Sequence, residues 1–153
     1  MARLVRDEER VFTLSLTGRT VTYGSLQMDI KPAHMALLAC FAEIRLHSCD
    51  ALPQDPTDCP PWFLGLEEFF TQQERITALY ETIRGINANG MSDTGITNLN
   101  AENFRSYMSR VNQSLRTAFG PAGEQLTIQP WGKRPSTRYG IRIEKNRLKL
   151  NCE

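Results

Sequence analysis

The chain predicts an α+β fold: short strands at the N-terminal end, three main helices, and a β-hairpin near the C-terminus. Three observations carry that expectation. Residues 11–30 alternate apolar and polar residues in short runs broken at Gly18 and Gly24. Three later stretches repeat apolar residues at helical spacing. Residues 125–143 return to strand-like runs around a basic stretch, Lys133-Arg134-Pro135.

The strand runs come first. Val11-Phe12-Thr13-Leu14-Ser15-Leu16 alternates, Thr17-Gly18-Arg19-Thr20 turns, Val21-Thr22-Tyr23 runs back, and Leu26-Gln27-Met28-Asp29-Ile30 follows. Lys31-Pro32 opens the first helix, because proline is at home in a first turn; Met35, Leu37, Leu38, Phe41 and Ile44 mark it, and it should end near His47-Ser48. Residues 50–61 hold four prolines and three aspartates and read as loop, so the chain is expected to be one domain, 1–153, with an insertion at about 49–63. A second helix is expected from about Leu64 to Arg84, breakable near Thr71-Gln72-Gln73, with Gly85 as its C-cap. Asn87 to Gly90 and Ser92 to Gly95 form a polar connection.

The third helix has the clearest signals. Asn100 is a good N-cap, Gly120-Pro121 ends the helix, and Phe104, Met108, Val111, Leu115 and Phe119 form one apolar stripe. After Glu102 the helix holds no acid. Strands should then close the chain: 125–129, 131–138 and 139–143, with Leu148-Lys149-Leu150 pairing at an edge.

Charge is divided unevenly. Residues 101–153 carry ten Lys or Arg against four Asp or Glu, a formal +6, while residues 1–100 carry a formal −5. Strands, three helices and a hairpin, in that order, are the layout of a winged helix-turn-helix, whose third helix enters the major groove while the hairpin wing touches the backbone. Arg105, Arg110 and Arg116 suit phosphates or guanine edges, Asn112 and Gln113 suit adenine, and Ser106 and Ser109 can donate to phosphates. Lys133, Arg134 and Arg138 suit phosphate or a narrow minor groove. Double-stranded DNA is therefore the expected partner. The rival expectation is an interaction or dimerisation module, with Trp62-Phe63-Leu64 exposed as an apolar contact.

Other chemistry is thin. Neither GxGxxG nor GxxxxGK occurs, Glu67 and Glu68 are adjacent and face different ways, and no nucleophile has a neighbouring base, so no enzyme and no cofactor is expected. Cys40, Cys49, Cys59 and Cys152 form no CxxC pair; His47, Cys49 and Cys59 fit no standard zinc spacing, and no metal is expected. The charged first ten residues lack a signal peptide's apolar stretch, and no apolar run nears the roughly 20 residues that span a bilayer, so a cytosolic (cytoplasmic) location without a membrane is expected.

Two resemblances follow from particular residues. Residues 11–45 and 97–150, with Ile30-Lys31-Pro32 at a helix start and Arg138-Tyr139-Gly140-Ile141 in the hairpin, resemble the winged-helix effector domain of OmpR/PhoB-type response regulators; the stretch 50–85 departs from it. Ile86 to Met91, Ser109 to Leu115 leading to Phe119-Gly120, and Ile128 to Pro135 leading to Arg138-Tyr139-Gly140-Ile141 are similar to the C-terminal region of CRISPR-associated proteins that join an N-terminal CARF domain, a binder of cyclic oligoadenylate, to a winged helix. That likeness implies a regulatory or output domain in antiviral defence, with a CARF domain as partner in the intact protein and no ring-nuclease residue here.

Overall fold

The computed structural model describes residues 10–55, 57–85 and 95–151. The charged N-terminus up to residue 9, Pro56, Cys152 and the connection 86–94, with the Ile86–Met91 part of the second resemblance, lie outside the described residues.

Phe12–Ser15 (β1), Thr20–Tyr23 (β2) and Leu26–Asp29 (β3) form the expected N-terminal meander, Phe12 opposite Tyr23 and Thr20 opposite Asp29. Period-two alternation sends Phe12 and Leu14 of β1 and Val21 and Tyr23 of β2 into the core. Arg19 takes the left-handed φ of 54° in the first turn. Its guanidinium donates to the carbonyls of Ile83 (3.3 Å) and Arg84 (3.2 Å). The first sheet gains its fourth strand from the far end of the chain. Leu148–Asn151 (β7) pairs parallel to β1, Phe12 opposite Leu148, giving the order β3-β2-β1-β7.

Pro32–His47 (α1) begins and ends where its sequence predicts. It is apolar almost all round, and every residue from Ala33 to Ala42 is buried, as expected of a helix at the centre of a core. Near its end, Arg45 is only 1% exposed. Its guanidinium lies 3.6 Å from the ring centroid of Trp62 and donates to the carbonyls of Ile143 (2.9 Å) and Asp50 (3.0 Å). Burial pushes its pKa down, against the charges of Asp50 and Glu144.

The insertion is docked rather than loose. Trp62 and Phe63 are buried, Trp62 Nε1 donates to the Ile141 carbonyl (2.7 Å), and Trp131 Nε1 donates to that of Thr57 (2.8 Å). The expected exposed apolar contact at Trp62-Phe63-Leu64 is thus corrected: the two aromatic residues belong to the interior and Leu64 is half-buried. Leu64–Gly65 (β4) follows, and the expected long second helix is split into Leu66–Phe70 (α2) and Gln73–Arg84 (α3). The break falls at Thr71-Gln72, where the sequence allows one. Gln73 ties the start of α3 forward, donating to the Ile96 carbonyl (2.9 Å) and accepting from Leu99 N (2.7 Å).

Ala101–Phe119 (α4) is held at its start by a reciprocal capping box: Asn103 N donates to Asn100 Oδ1 (2.9 Å) and Asn100 N to Asn103 Oδ1 (2.8 Å). Phe104, Val111, Leu115 and Phe119 are buried as the stripe predicts. Phe104 meets Phe41 of α1, Phe69 of α2 and Tyr139, at ring-centroid distances of 6.2, 5.3 and 5.1 Å. Burying such a ring stabilises the fold by roughly 1.5–3 kcal/mol.

One predicted strand is not there. The sequence predicts residues 125–129 as extended, but Gly120–Leu126 forms a 3₁₀ helix and only Gln129 of that run is in a strand. Gly120-Pro121 starts the tight turn, and Gly123 sits so close to α4 that an added Cβ would lie 2.5 Å from the Leu115 carbonyl oxygen. Gln129–Trp131 (β5) and Arg138–Gly140 (β6) then make a short hairpin. The expected strands 131–138 and 139–143 shrink accordingly, because residues 132–137 form the turn, with a hydrogen bond from Ser136 N to the Lys133 carbonyl (2.8 Å). β4 adds to the hairpin through Leu64 opposite Tyr139, giving a second sheet of order β4-β6-β5. The architecture is α+β, with four α-helices and two small sheets among the described residues. Among those residues no helix is long and apolar enough to cross a membrane.

Candidate nucleic-acid interface

The amphipathic stripe of α4 decides which of its polar residues reach the surface. Ser106, Ser109, Arg110, Gln113 and Arg116 are exposed, and Arg105 is partly buried at the border of that face. Asn112 is not on it. It is 7% exposed; Nδ2 donates to the Ile128 carbonyl and Oδ1 accepts from Ile128 N, both at 2.8 Å. Its role as an adenine reader is corrected: the amide is consumed in bridging α4 to Ile128, the residue just ahead of β5. The signal is present in the sequence. Asn112 lies four residues after Met108 and eight after Phe104, on the edge of the apolar stripe rather than opposite it.

Two further expected contacts carry acidic partners from elsewhere in the fold. Arg116 makes a bidentate pair with Glu124, Nε to Oε2 at 2.7 Å and Nη2 to Oε1 at 3.1 Å. That hydrogen bonding raises the pKa of Arg116 and holds Glu124 below the usual carboxylate range. Both side chains are exposed, so the pair contributes little to stability. Arg138 is the first residue of β6 rather than part of the turn; it lies 3.6 Å from Glu68 and donates to the Phe63 carbonyl (3.3 Å). Lys133 and Arg134 are exposed on the turn.

A cleft of about 480 Å³ lies between the β5–β6 turn, β6 and the β4–α2 segment, with Arg105 reaching it from the start of α4; Arg105, Arg134 and Arg138 all line it. On the other flank of the helix, Arg110 and Gln113 line a groove of about 540 Å³ against β3 and the start of α1, with Lys31 and His34. The exposed face of α4 thus runs between two concave strips, each bearing arginine. Lys31 carries no local signal of this role, and only the tertiary packing of β3 on α4 brings it there.

Among the described residues no three His, Cys, Asp or Glu side chains lie close enough together to hold a metal ion; Cys40 is buried, Cys49 exposed and Cys59 half-buried, all as free thiols. No family model, curated protein or solved structure matches the chain.

Proposed function

We propose that this chain is a winged-helix module that binds duplex DNA, with α4 as the helix presented to the major groove and the β5–β6 turn as the wing. The observation that carries the reading is that Arg105 from the start of α4 lines the same cleft as Arg134 of the basic turn and Arg138 of β6. The order of elements supports it: α1, β4, the α2–α3 pair and α4, then a hairpin paired with β4 in the order β4-β6-β5. Ser109, Arg110, Gln113 and Arg116 would meet base edges and phosphates from the exposed face, and Lys133 and Arg134 the flanking backbone. A regulatory or output role, with a CARF domain as partner in the intact protein, rests on the sequence resemblance alone.

The test is titration of labelled duplex DNA at several salt concentrations. Counterion release predicts an affinity that falls steeply as salt rises, and the double variant Arg110→Glu, Arg116→Glu should abolish binding while leaving the fold intact. Absence of binding at low salt would sink the reading.

A second reading, an interaction or dimerisation module, draws on a different surface. β3 is the outer strand of its sheet, and Leu26 on it is 43% exposed. Light scattering coupled to size exclusion separates the two: a dimer that Leu26→Lys dissociates favours this reading.

A further inference from the structure

We propose that the cleft between the β5–β6 hairpin and the β4–α2 segment, which Arg105 reaches from α4, is a phosphate-binding site, in which Arg105 and Arg134 grip one phosphate group. This rests on the duplex-binding reading, which supplies the source of that phosphate, a diester of the DNA backbone; a free mononucleotide presents the same chemistry.

Arg105 carries the argument. Its Nε is buried and has no hydrogen-bond partner. A buried donor left unpaired is costly, and native folds seldom retain one without a ligand, water or ion to satisfy it. The side chain lines the cleft together with Arg134, an exposed guanidinium that no ion pair holds among the described residues. Arg138 forms the wall, fixed there by Glu68 and the Phe63 carbonyl. Ser136 and Thr137 line the same space and bring hydroxyl donors.

Charge favours an anion of low valence. Three arginines face Glu67 and Glu68 around the cleft, a surplus of one positive charge, which one phosphodiester matches. The planar fork of a guanidinium suits two phosphate oxygens at once. A volume of about 480 Å³ leaves room for the sugar attached to the phosphate. In this assignment Arg105 is a backbone clamp, and its contribution does not depend on base sequence.

Two measurements test the site, and they separate its failure from that of the duplex reading. In the first, affinity for duplex DNA is measured against salt for the wild type, Arg105→Gln, Arg134→Gln and the double variant. Each single change should lower the slope of log affinity against log salt by about 0.9, equally for unrelated sequences, and the double change by about 0.9 as well, because the one phosphate is held only while both arginines grip it. Arg134 is exposed on a turn, so its variant keeps the test valid should Arg105→Gln fail to fold. In the second, the Arg105 Nε–H resonance is followed as inorganic phosphate and then a nucleoside monophosphate are added. A shift that Arg134→Gln weakens is expected.

Duplex binding with an unchanged slope in both single variants overturns the site and leaves the duplex reading standing. A phosphate-induced shift without duplex binding keeps the site, assigns it to a free phosphate ester and overturns the duplex reading. The absence of both a shift and a change of slope overturns the site outright.

Discussion

Removing the Asn112 side chain by Asn112→Ala should damage the fold and spare the ligand. The amide makes two buried hydrogen bonds, one to each polar backbone group of Ile128, both at 2.8 Å. Each bond contributes about 1 kcal/mol net, and alanine would also strand a buried N–H and C=O, so the expected loss is roughly 2–4 kcal/mol. At ~2–4 °C per kcal/mol for a chain of this size, the melting temperature should fall by roughly 5–15 °C. Had the side chain been an exposed base reader, stability would change by less than about 0.5 kcal/mol, while DNA affinity would drop by about 1–3 kcal/mol. Urea unfolding followed by circular dichroism gives the first quantity, and a DNA titration well below the melting temperature gives the second. A stability loss under about 1 kcal/mol, together with a clear loss of affinity, would refute the assignment of Asn112 as a bridge.

Two more outcomes follow from packing. An alanine methyl at Gly140 would lie 2.3 Å from Phe63 Cδ1; Gly140→Ala should therefore cost about 1–3 kcal/mol in denaturant unfolding, as overpacked sites do. Burial pushes the Cys40 thiol up to about 12, whereas Cys49 is exposed; alkylation mapped by mass spectrometry should modify Cys49 readily in the native protein and Cys40 only once denaturant is added.

The elements best read from the sequence are those whose ends are marked by local chemistry. Pro32 at the start of α1, Asn100 with its capping box on α4 and Gly85 after α3 each act within a few residues, so a linear reading reaches them. The 3₁₀ segment at Gly120–Leu126 escapes such a reading because Leu126 and Ile128 are buried as strand residues would be, while the conformation is set by the close contact of Gly123 with the Leu115 carbonyl. The pairing of β7 with β1 joins residues more than a hundred positions apart, and no local pattern specifies such a partner. The site followed the same rule. Exposure of Arg110, Gln113, Lys133 and Arg134 is legible from periodicity and turn chemistry. The pairing of Arg116 with Glu124 and of Arg138 with Glu68 depends on how the chain folds back, so the count of basic residues overstates the free positive charge.

Phe104 against Tyr139, and Asn112 against Ile128, fasten α4 to the hairpin at two levels along the helix. These contacts hold the base of the hairpin against α4, which limits how far the gap between the helix and the 132–137 turn can change. A duplex seated across both would have to conform to the gap by bending or narrowing its own groove. The energy of that adjustment varies with base step, being least at flexible pyrimidine–purine steps. Sequence preference would then arise at base pairs that no side chain touches, and selection experiments on this protein should be scored for flexibility at the positions between helix and wing as well as for consensus bases beneath α4.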